Sequence, residues 1–141
     1  IYWLLHLKNV KEKNKMNFFE CKSCKTLVYL LEKGGCTPSC CGEEMKEATI
    51  HTSSEQTGPE KHVPIVHEEN GKVYVKVGEV PHPMLENHYI DWIFLVTDKG
   101  TQRKNLHPNM APEALFQISE DEIVIAVYAH CNIHGIWKAD L

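Results

Sequence analysis

Residues 123–137 read IVIAVYAHCNIHGIW, and this stretch decides the fold class of most of the chain. Its first part, residues 123–130, is strongly apolar and predicts a buried β-strand. The strand runs directly into residues 131–135 (CNIHG), where Cys131 and His134 are separated by two residues. This C-x-x-H spacing on a turn is typical of metal ligands. The stretch therefore predicts a strand that ends in two candidate metal-binding side chains.

The sequence that precedes this strand also repeats with a period of two residues. Residues 72–77 (KVYVKV) alternate, and the alternation in residues 88–97 places Ile90, Trp92, Phe94 and Val96 on one face. The pairs Asn-Gly at 70–71 and Lys-Gly at 99–100 are turn signals, whereas residues 111–117 fit either one helical turn or another strand. Short strands with turns at this spacing predict a mainly β fold. We expect an immunoglobulin-like β-sandwich over residues 53–141, with residues 53–59 as a linker.

A small cysteine-rich module precedes the linker, at about residues 16–52. Cys21 and Cys24 form a C-x-x-C pair, and the adjacent Cys40 and Cys41 follow fifteen residues later, directly before Gly42. Neighbouring residues of a strand point to opposite faces, so both members of the second pair reach one metal only across a bent turn. A module this short is expected to need a metal to fold, and four thiolates suit zinc and iron equally well.

The remaining composition narrows the class of protein. The 141 residues are 43% hydrophobic and carry a net charge of −4, so nucleic-acid binding is disfavoured, and no apolar run approaches the roughly 20 residues of a membrane helix. Residues 1–15 carry a charge of +3 and resemble nothing downstream. We expect them to be an extension outside the fold, with the native start at Met16, although an interfacial anchor helix is an alternative. Without an export signal the predicted location is the cytoplasm, where thiols stay reduced.

Histidines cluster in the loops and strand edges of the predicted sandwich. His62 lies in residues 60–64 (EKHVP), His82 in residues 81–84 (PHPM), and His88 opens the 88–97 strand. Together with Cys131 and His134 they give four imidazoles and one thiol. Structural zinc prefers four ligands, whereas iron with these five would keep one coordination position open. The pattern therefore predicts a redox-active iron site that binds substrate.

At this point the chain resembles the desulfoferrodoxin family, the two-iron form of superoxide reductase. The resemblance covers roughly residues 17–141. It rests on the C-x-x-C and C-C-G motifs, on EKHVP at 60–64 and VPHPM at 80–84, on ENHYIDW at 86–92, and on CNIHGIW at 131–137. Cys36 and the N-terminal extension depart from the pattern, and neither touches a ligand position. Five histidines match no ligand motif and are expected at the surface or in ordinary packing: His6, His51, His67, His107 and His130.

The resemblance implies two iron ions per chain and a specific activity. The first iron would be held in a rubredoxin/desulforedoxin-like module by Cys21, Cys24, Cys40 and Cys41. The second would be held by His62, His82, His88 and His134 in the equatorial plane, with Cys131 as the axial thiolate. Superoxide would be reduced by one electron to hydrogen peroxide. Lys61 would provide a positive charge beside the open position, and Glu60 would bind the ferric iron afterwards. A rubredoxin-like electron donor and a homodimer are also implied.

Three alternatives remain open from the sequence. A superoxide dismutase would release dioxygen, which superoxide reduction does not. A non-catalytic iron electron-transfer protein would favour a closed coordination shell. A zinc-ribbon binding module fused to a β-sandwich would be colourless.

Overall fold

The computed structural model describes residues 1–13 and 17–141, and it divides the chain into two compact units, Ile1–Thr49 and Ile50–Leu141. The elements of the first unit are α1 (Tyr2–Lys13), β1 (Phe18–Glu20), β2 (Leu27–Tyr29), β3 (Ser39–Cys40), β4 (Glu43–Glu44) and β5 (Lys46–Glu47). Those of the second unit are β6 (Ile50–His51), α2 (Pro59–His62), β7 (Pro64–Glu69), β8 (Lys72–Val77), β9 (Ile90–Thr97), β10 (Thr101–Asn105), β11 (Glu113–Gln117), β12 (Val124–Cys131) and β13 (Gly135–Lys138).

Helix α1 occupies most of the segment that we expect to lie outside the fold. The described side chains of this helix are exposed, including those of Trp3, Leu4 and Leu5. None of the helices in the described part of the chain is long and apolar enough to cross a membrane. The assignment of residues 1–15 as an extension stays a prediction, and the expected start at Met16 lies outside the described residues.

The remainder of the first unit is a small antiparallel sheet beside a two-stranded hairpin. The sheet has the order β2-β1-β5, and β3 pairs with β4. Its core cluster consists of Phe19, Cys21 and Met45, with a few partly buried neighbours. So small an apolar core supplies little folding free energy, which is why a metal ion is a reasonable source of the remainder.

The second unit is a mainly β sandwich, as the sequence predicts. One sheet has the order β10-β9-β12-β13-β6 and the other the order β11-β8-β7. Val73, Val75 and Val77 on β8 face Val127 and Ala129 on β12 in one buried cluster. Residues 111–117, which the sequence leaves undecided, contribute strand β11. Ile50 and His51 were expected in the cysteine module, but they form β6 and pair in parallel with β13.

The four residues that the alternation groups on one face of β9 do not all lie in this buried cluster. Ile93 and Leu95 lie in the buried cluster together with Ile90, not Trp92 and Phe94. A bulge separates Ile90 from the other three: His130 pairs with Trp92, whereas Cys131 pairs with Ile90, so Asp91 is the extra residue on β9. The bulge turns Ile90 to the same face as Ile93, which the alternation of the sequence cannot indicate because β9 is apolar on both faces.

Candidate metal centres

Five strands of the second unit bring five metal-binding side chains to one end of the sandwich. Cys131 is the last residue of β12, and β12 pairs with the start of β9 and of β13 at this end. His134 lies in the turn between β12 and β13, and His88 lies just before β9. The start of β7 and the end of β8 meet at the same place, because Pro64 pairs with Val77. His62 and His82 lie next to these two strand ends.

The five predicted side chains converge into one group of donor atoms. One ligand atom from each lies within 4.8 Å of those of the others in the set His62, His82, His88, Cys131 and His134. The Nε2 atom of His62 is 3.1 Å from Nε2 of His82 and 3.1 Å from Nδ1 of His134. Ligands about 2.1 Å from one metal ion and at right angles are about 3.0 Å apart. The spacing of these nitrogens fits neighbouring ligands of a single ion.

The hydrogen bonds on the far side of two rings fix which nitrogen faces inward. Nδ1–H of His62 donates to the carbonyl of Gly58 at 2.8 Å, and Nδ1–H of His82 donates to the carbonyl of Pro83 at 2.7 Å. Their Nε2 atoms in the neutral rings therefore carry lone pairs, and two lone pairs 3.1 Å apart repel unless a cation lies between them. The buried Nε2 of His88 also lacks a hydrogen-bond partner among the described residues. A metal ion satisfies all three nitrogens.

Burial favours the neutral form of the rings of His62, His82 and His88, which is the form that binds a metal ion. Removal from water disfavours the imidazolium form, which lowers the pKa of His82 to about 4 and also lowers the pKa of His62 and His88. The positive charge of the nearby Lys61 contributes to the lowered pKa of His88. The three rings are therefore neutral, and ready to donate a lone pair, at pH 7.

The thiol of Cys131 is buried and held in a specific electrostatic environment. Burial raises its pKa, while the backbone N–H groups of His134 and Ile133 act in the opposite direction by donating to the sulfur. Its Sγ lies 3.5 Å from Nδ1 of His134. The N–H of Asn132, the residue directly after Cys131, donates to the carbonyl of Tyr89 at 3.1 Å.

Lys61 and Glu60 lie on α2, immediately before the buried His62. Both side chains are exposed. Backbone hydrogen bonds attach α2 and the residue after it to the segment that follows β8. The N–H of Val80 donates to the carbonyl of Glu60 at 3.0 Å, and the N–H of Gly78 donates to that of Val63 at 3.2 Å. The two charged residues are thus placed at the rim of the five-donor group, on a backbone anchored to the end of β8.

The first unit brings its four predicted cysteines together as well. Donor atoms of Cys21, Cys24, Cys40 and Cys41 lie within 4.8 Å of one another. The Sγ atoms of Cys24 and Cys40 are 3.6 Å apart, and those of Cys40 and Cys41 are 3.9 Å apart. Four thiolates arranged tetrahedrally about 2.3 Å from one ion are about 3.8 Å apart. The donor set and its spacing fit a tetrahedral metal ion.

Two tight turns produce this arrangement. The N–H of Cys24 points to Sγ of Cys21 at 3.5 Å, which closes the C-x-x-C turn. Cys41 and Gly42 form the two-residue turn between β3 and β4, with φ of 52° and 78°. Positive φ at both positions is the geometry of a type I′ hairpin turn, and glycine adopts it without strain. This is the bent turn that the adjacent cysteine pair requires.

When no cation is present, hydrogen bonding shifts the pKa values of three of the four thiols in different directions. Hydrogen bonds from the Thr26 hydroxyl and backbone lower the pKa of Cys24, whereas hydrogen bonding with the other thiols raises the pKa of Cys40 and of Cys41. All four can be thiolates together only beside a positive charge. Cys36 is exposed and lies outside the group.

Several of the remaining histidines have other partners. His130 stacks on Trp92 with ring centroids 5.1 Å apart, and its Nδ1 lies 2.6 Å from a carboxylate oxygen of Asp91. His51 stacks on Trp137, and its Nδ1 lies 3.1 Å from Glu55. Neither histidine belongs to the five-donor group.

The sequence analysis missed two residues that support the five-donor group. The ring of Trp137 stacks on His62 with centroids 4.7 Å apart, and its Nε1–H donates to the carbonyl of His134 at 3.1 Å. Gly58 supplies the carbonyl that orients His62, and a Cβ on it would lie 3.2 Å from the ring of Trp137. The signals were present as the tryptophan three residues after His134 and as the Gly-Pro pair at 58–59, which by itself indicates only a turn.

Comparisons with known proteins agree with this architecture. The family model described as Desulfoferrodoxin matches residues 54–140. A desulfoferrodoxin homologue of Archaeoglobus fulgidus is 42% identical over 124 residues, covering 88% of this chain and 96% of that protein. The desulfoferrodoxin of Nitratidesulfovibrio vulgaris is 42% identical over 127 residues, covering 90% and 98%. The crystal structure of the superoxide reductase from Treponema pallidum superimposes with a TM-score of 0.73 at 34% identity, covering 90% of this chain and 99% of that one. With its cysteine group and its histidine-rich group both assembled, the chain belongs to the desulfoferrodoxin family.

Proposed function

We propose that the protein is a superoxide reductase. The reaction is the one-electron reduction of superoxide, with uptake of two protons, to hydrogen peroxide. The observation that carries this proposal is the donor set of the second unit: four imidazoles and one thiol converge on one point, and an iron ion held by these five donors would keep one coordination position for substrate. The resemblance to the superoxide reductase from Treponema pallidum supports the same activity.

Iron bound in this group would supply the electron and the position at which superoxide binds. The chain's own residues define that position. The four imidazoles of His62, His82, His88 and His134 and the thiolate of Cys131 would hold the ion and leave its remaining coordination position to substrate. The N–H groups of Ile133 and His134 donate to the sulfur and reduce its negative charge, so they tune how strongly the thiolate donates electron density.

Lys61 and Glu60 would act on the substrate side of the group. Residues 16–141 carry a net charge of −7, which repels an anionic substrate. An exposed cation at the rim raises the local concentration of superoxide, and Lys61 is close enough to His88 for its charge to act on that ring. Glu60, one residue earlier, would supply a carboxylate ligand for the oxidised ion.

The four-cysteine group would hold a second iron ion with a mainly structural role. Its four sulfurs fill a tetrahedral shell, so they leave no position for a substrate. The small apolar core around Cys21 and Met45 supports the same interpretation, because the metal would supply folding free energy that the core lacks.

Family resemblance supports three further assignments. We propose a small rubredoxin-like iron protein as the electron donor, a homodimer as the assembly, and the cytoplasm, whose reducing conditions keep cysteines available as ligands, as the location. The net charge of −4 argues against a nucleic-acid partner. Light scattering on the iron-loaded chain would measure the assembly directly.

The product balance tests the proposed activity. Iron-loaded protein, reduced beforehand, is mixed with superoxide in the absence of further reductant, and peroxide and dioxygen are both measured. A reductase yields about one peroxide per superoxide consumed and no dioxygen, whereas a dismutase releases dioxygen in half that amount. An electron-transfer protein with a closed coordination shell would form neither peroxide nor dioxygen rapidly after mixing. Added azide would also leave the visible spectrum of such a protein unchanged.

A further inference from the structure

His88 differs from His62 and His82 in how its ring is held. His62 and His82 each have the nitrogen that faces away from the group bonded to a backbone carbonyl. Among the described residues, the ring of His88 has no hydrogen bond of that kind, and its buried Nε2 has none at all. The position of this ring is therefore set by the backbone that carries it.

That backbone forms a short turn of its own. The N–H of His88 donates to the carbonyl of Leu85 at 3.1 Å, and the N–H of Leu85 donates back to the carbonyl of His88 at 2.9 Å. Two reciprocal bonds close the turn but do not attach it to the strands that carry the other ligands. The attachment comes from the residues on either side of His88.

Both flanking residues are bonded to Asn132. The N–H of Tyr89 donates to Oδ1 of Asn132 at 2.9 Å, and the N–H of Asn132 donates to the carbonyl of Tyr89 at 3.1 Å. Nδ2–H of Asn132 donates to the carbonyl of Asn87 at 3.1 Å. Asn132 directly follows the thiol ligand Cys131 in the chain.

The side chain of Asn132 extends the sheet beyond its last backbone pair. The ladder between β9 and β12 ends at the pairing of Ile90 with Cys131. One step further, the backbone of Asn132 supplies the donor for Tyr89, and its own amide oxygen supplies the acceptor that a strand carbonyl would supply. The side-chain amide has an acceptor for one flanking residue and a donor for the other at the same position.

We propose that Asn132 is a positioning residue that sets where His88 stands relative to the sulfur of Cys131. This inference rests on the proposed iron site but not on the reaction performed there. Asn132 is exposed and belongs to no apolar cluster. Its truncation therefore opens no cavity in the core, and a change at the metal group is not a by-product of lost packing.

The test compares Asn132→Ala and Asn132→Asp with the parent, all as full chains loaded with iron. Asn132→Ala removes both side-chain bonds. Asn132→Asp keeps the acceptor for Tyr89 and loses the donor for Asn87. We expect a chelator to extract the iron of the five-donor group about tenfold faster from Asn132→Ala, in line with other losses next to metal ligands, with Asn132→Asp in between. The iron of the four-cysteine group serves as the internal reference and should not change.

Two further measurements separate positioning from general destabilisation. Hydrogen exchange of the Tyr89 amide should accelerate in Asn132→Ala and stay close to the parent in Asn132→Asp. The thiolate-to-iron charge-transfer band of Asn132→Ala should shift, because the donor set around Cys131 is altered. The control is Asn105→Ala, which removes an exposed asparagine of β10 that has no role in the group.

The proposal is overturned if Asn132→Ala releases iron within about twofold of the parent, if its band is unshifted, or if Tyr89 exchanges at the parent rate. A parent protein that binds iron but forms no peroxide would overturn the proposed function alone. Iron release and amide exchange measure the effect of the Asn132 hydrogen bonds whether or not the protein reduces superoxide.

Discussion

Gly78 lies so close to Lys61 that a Cβ built on the glycine would stand 2.6 Å from the carbonyl oxygen of Lys61. The backbone of Gly78 also has φ of 88°, a conformation that side chains disfavour. The residue that follows β8 is thus in direct backbone contact with α2, which carries Glu60, Lys61 and His62. Because Gly78 has no side chain, the backbone of Glu60 and Lys61 can lie this close to the end of β8, beside the metal-binding group.

Replacement of this glycine should therefore damage both stability and the rim. We expect Gly78→Ala to lower the free energy of unfolding by roughly 1–3 kcal/mol, from the strained φ and from the displacement of the Lys61 backbone. Denaturant unfolding measures this change. The control is Gly100→Ala in the same unit, where a Cβ would meet nothing within 4 Å and the change should stay within about 0.5 kcal/mol. Equal losses for the two variants would contradict the close contact.

Lys61 should matter for the capture of superoxide. Lys61→Ala removes the exposed cation at the rim of a net-negative chain, so we expect the reduced protein to react about tenfold more slowly at low salt. The difference should shrink as salt is added, because screening weakens the attraction in the parent. Pulse-generated superoxide across a salt series measures the rate. Equal rates at low salt would remove Lys61 from the mechanism.

Glu60 should affect a different stage from its neighbour. A carboxylate does not attract an anion, so Glu60→Ala should leave the capture rate within about twofold of the parent. The oxidised protein should change instead, with its sixth position open to added anions. Azide titration of the oxidised protein, followed by its visible spectrum, measures this difference. A tenfold loss in capture would show that Glu60 acts earlier than we propose.

The four-cysteine group should be separable from the activity. Cys41→Ser should lose one iron ion per chain and destabilise the unit around residues 17–50, since metal binding there contributes folding free energy. Peroxide formation by the chemically reduced protein should survive. Cys36→Ser is the matched control and should keep both ions, because Cys36 is exposed and outside the group. Loss of peroxide together with the first iron would mean that this group takes part in catalysis.

The protonation states of the five donors predict how many protons are released when the metal ion binds. Burial raises the pKa of Cys131, so its thiol is protonated at pH 7 without metal, and binding as a thiolate must release that proton. Cys131→Ser should release about one proton fewer per chain than the parent when Fe²⁺ is added to iron-free protein at pH 7. His82→Ala should not change the number, because the lowered pKa of His82, about 4, leaves that ring already unprotonated. A pH indicator in weak buffer measures the release, and equal values for Cys131→Ser and the parent would argue against thiolate ligation.

Much of the site could be predicted from the sequence because ligand chemistry is local. The C-x-x-C and C-x-x-H spacings place two donors on a single turn, and short turns have few conformations. The period of two in residues 72–77 likewise predicts which side chains are buried, since Val73, Val75 and Val77 lie in the core. The two-sheet architecture follows from strands and turns at this spacing.

Other features depend on contacts between residues far apart in the chain, and only the tertiary structure decides them. The bulge at Asp91 places Ile90 on the same face of β9 as Ile93, because it arises from the pairing of β9 with β12 and leaves no mark on an apolar strand. The orientation of His62 depends on the carbonyl of Gly58 and the ring of Trp137 together. The place of His88 depends on Asn132, more than forty residues later in the chain. Residue type and spacing thus determine which side chains can bind a metal, whereas the orientation of each ring is determined by hydrogen bonds and packing that exist only after the strands have paired.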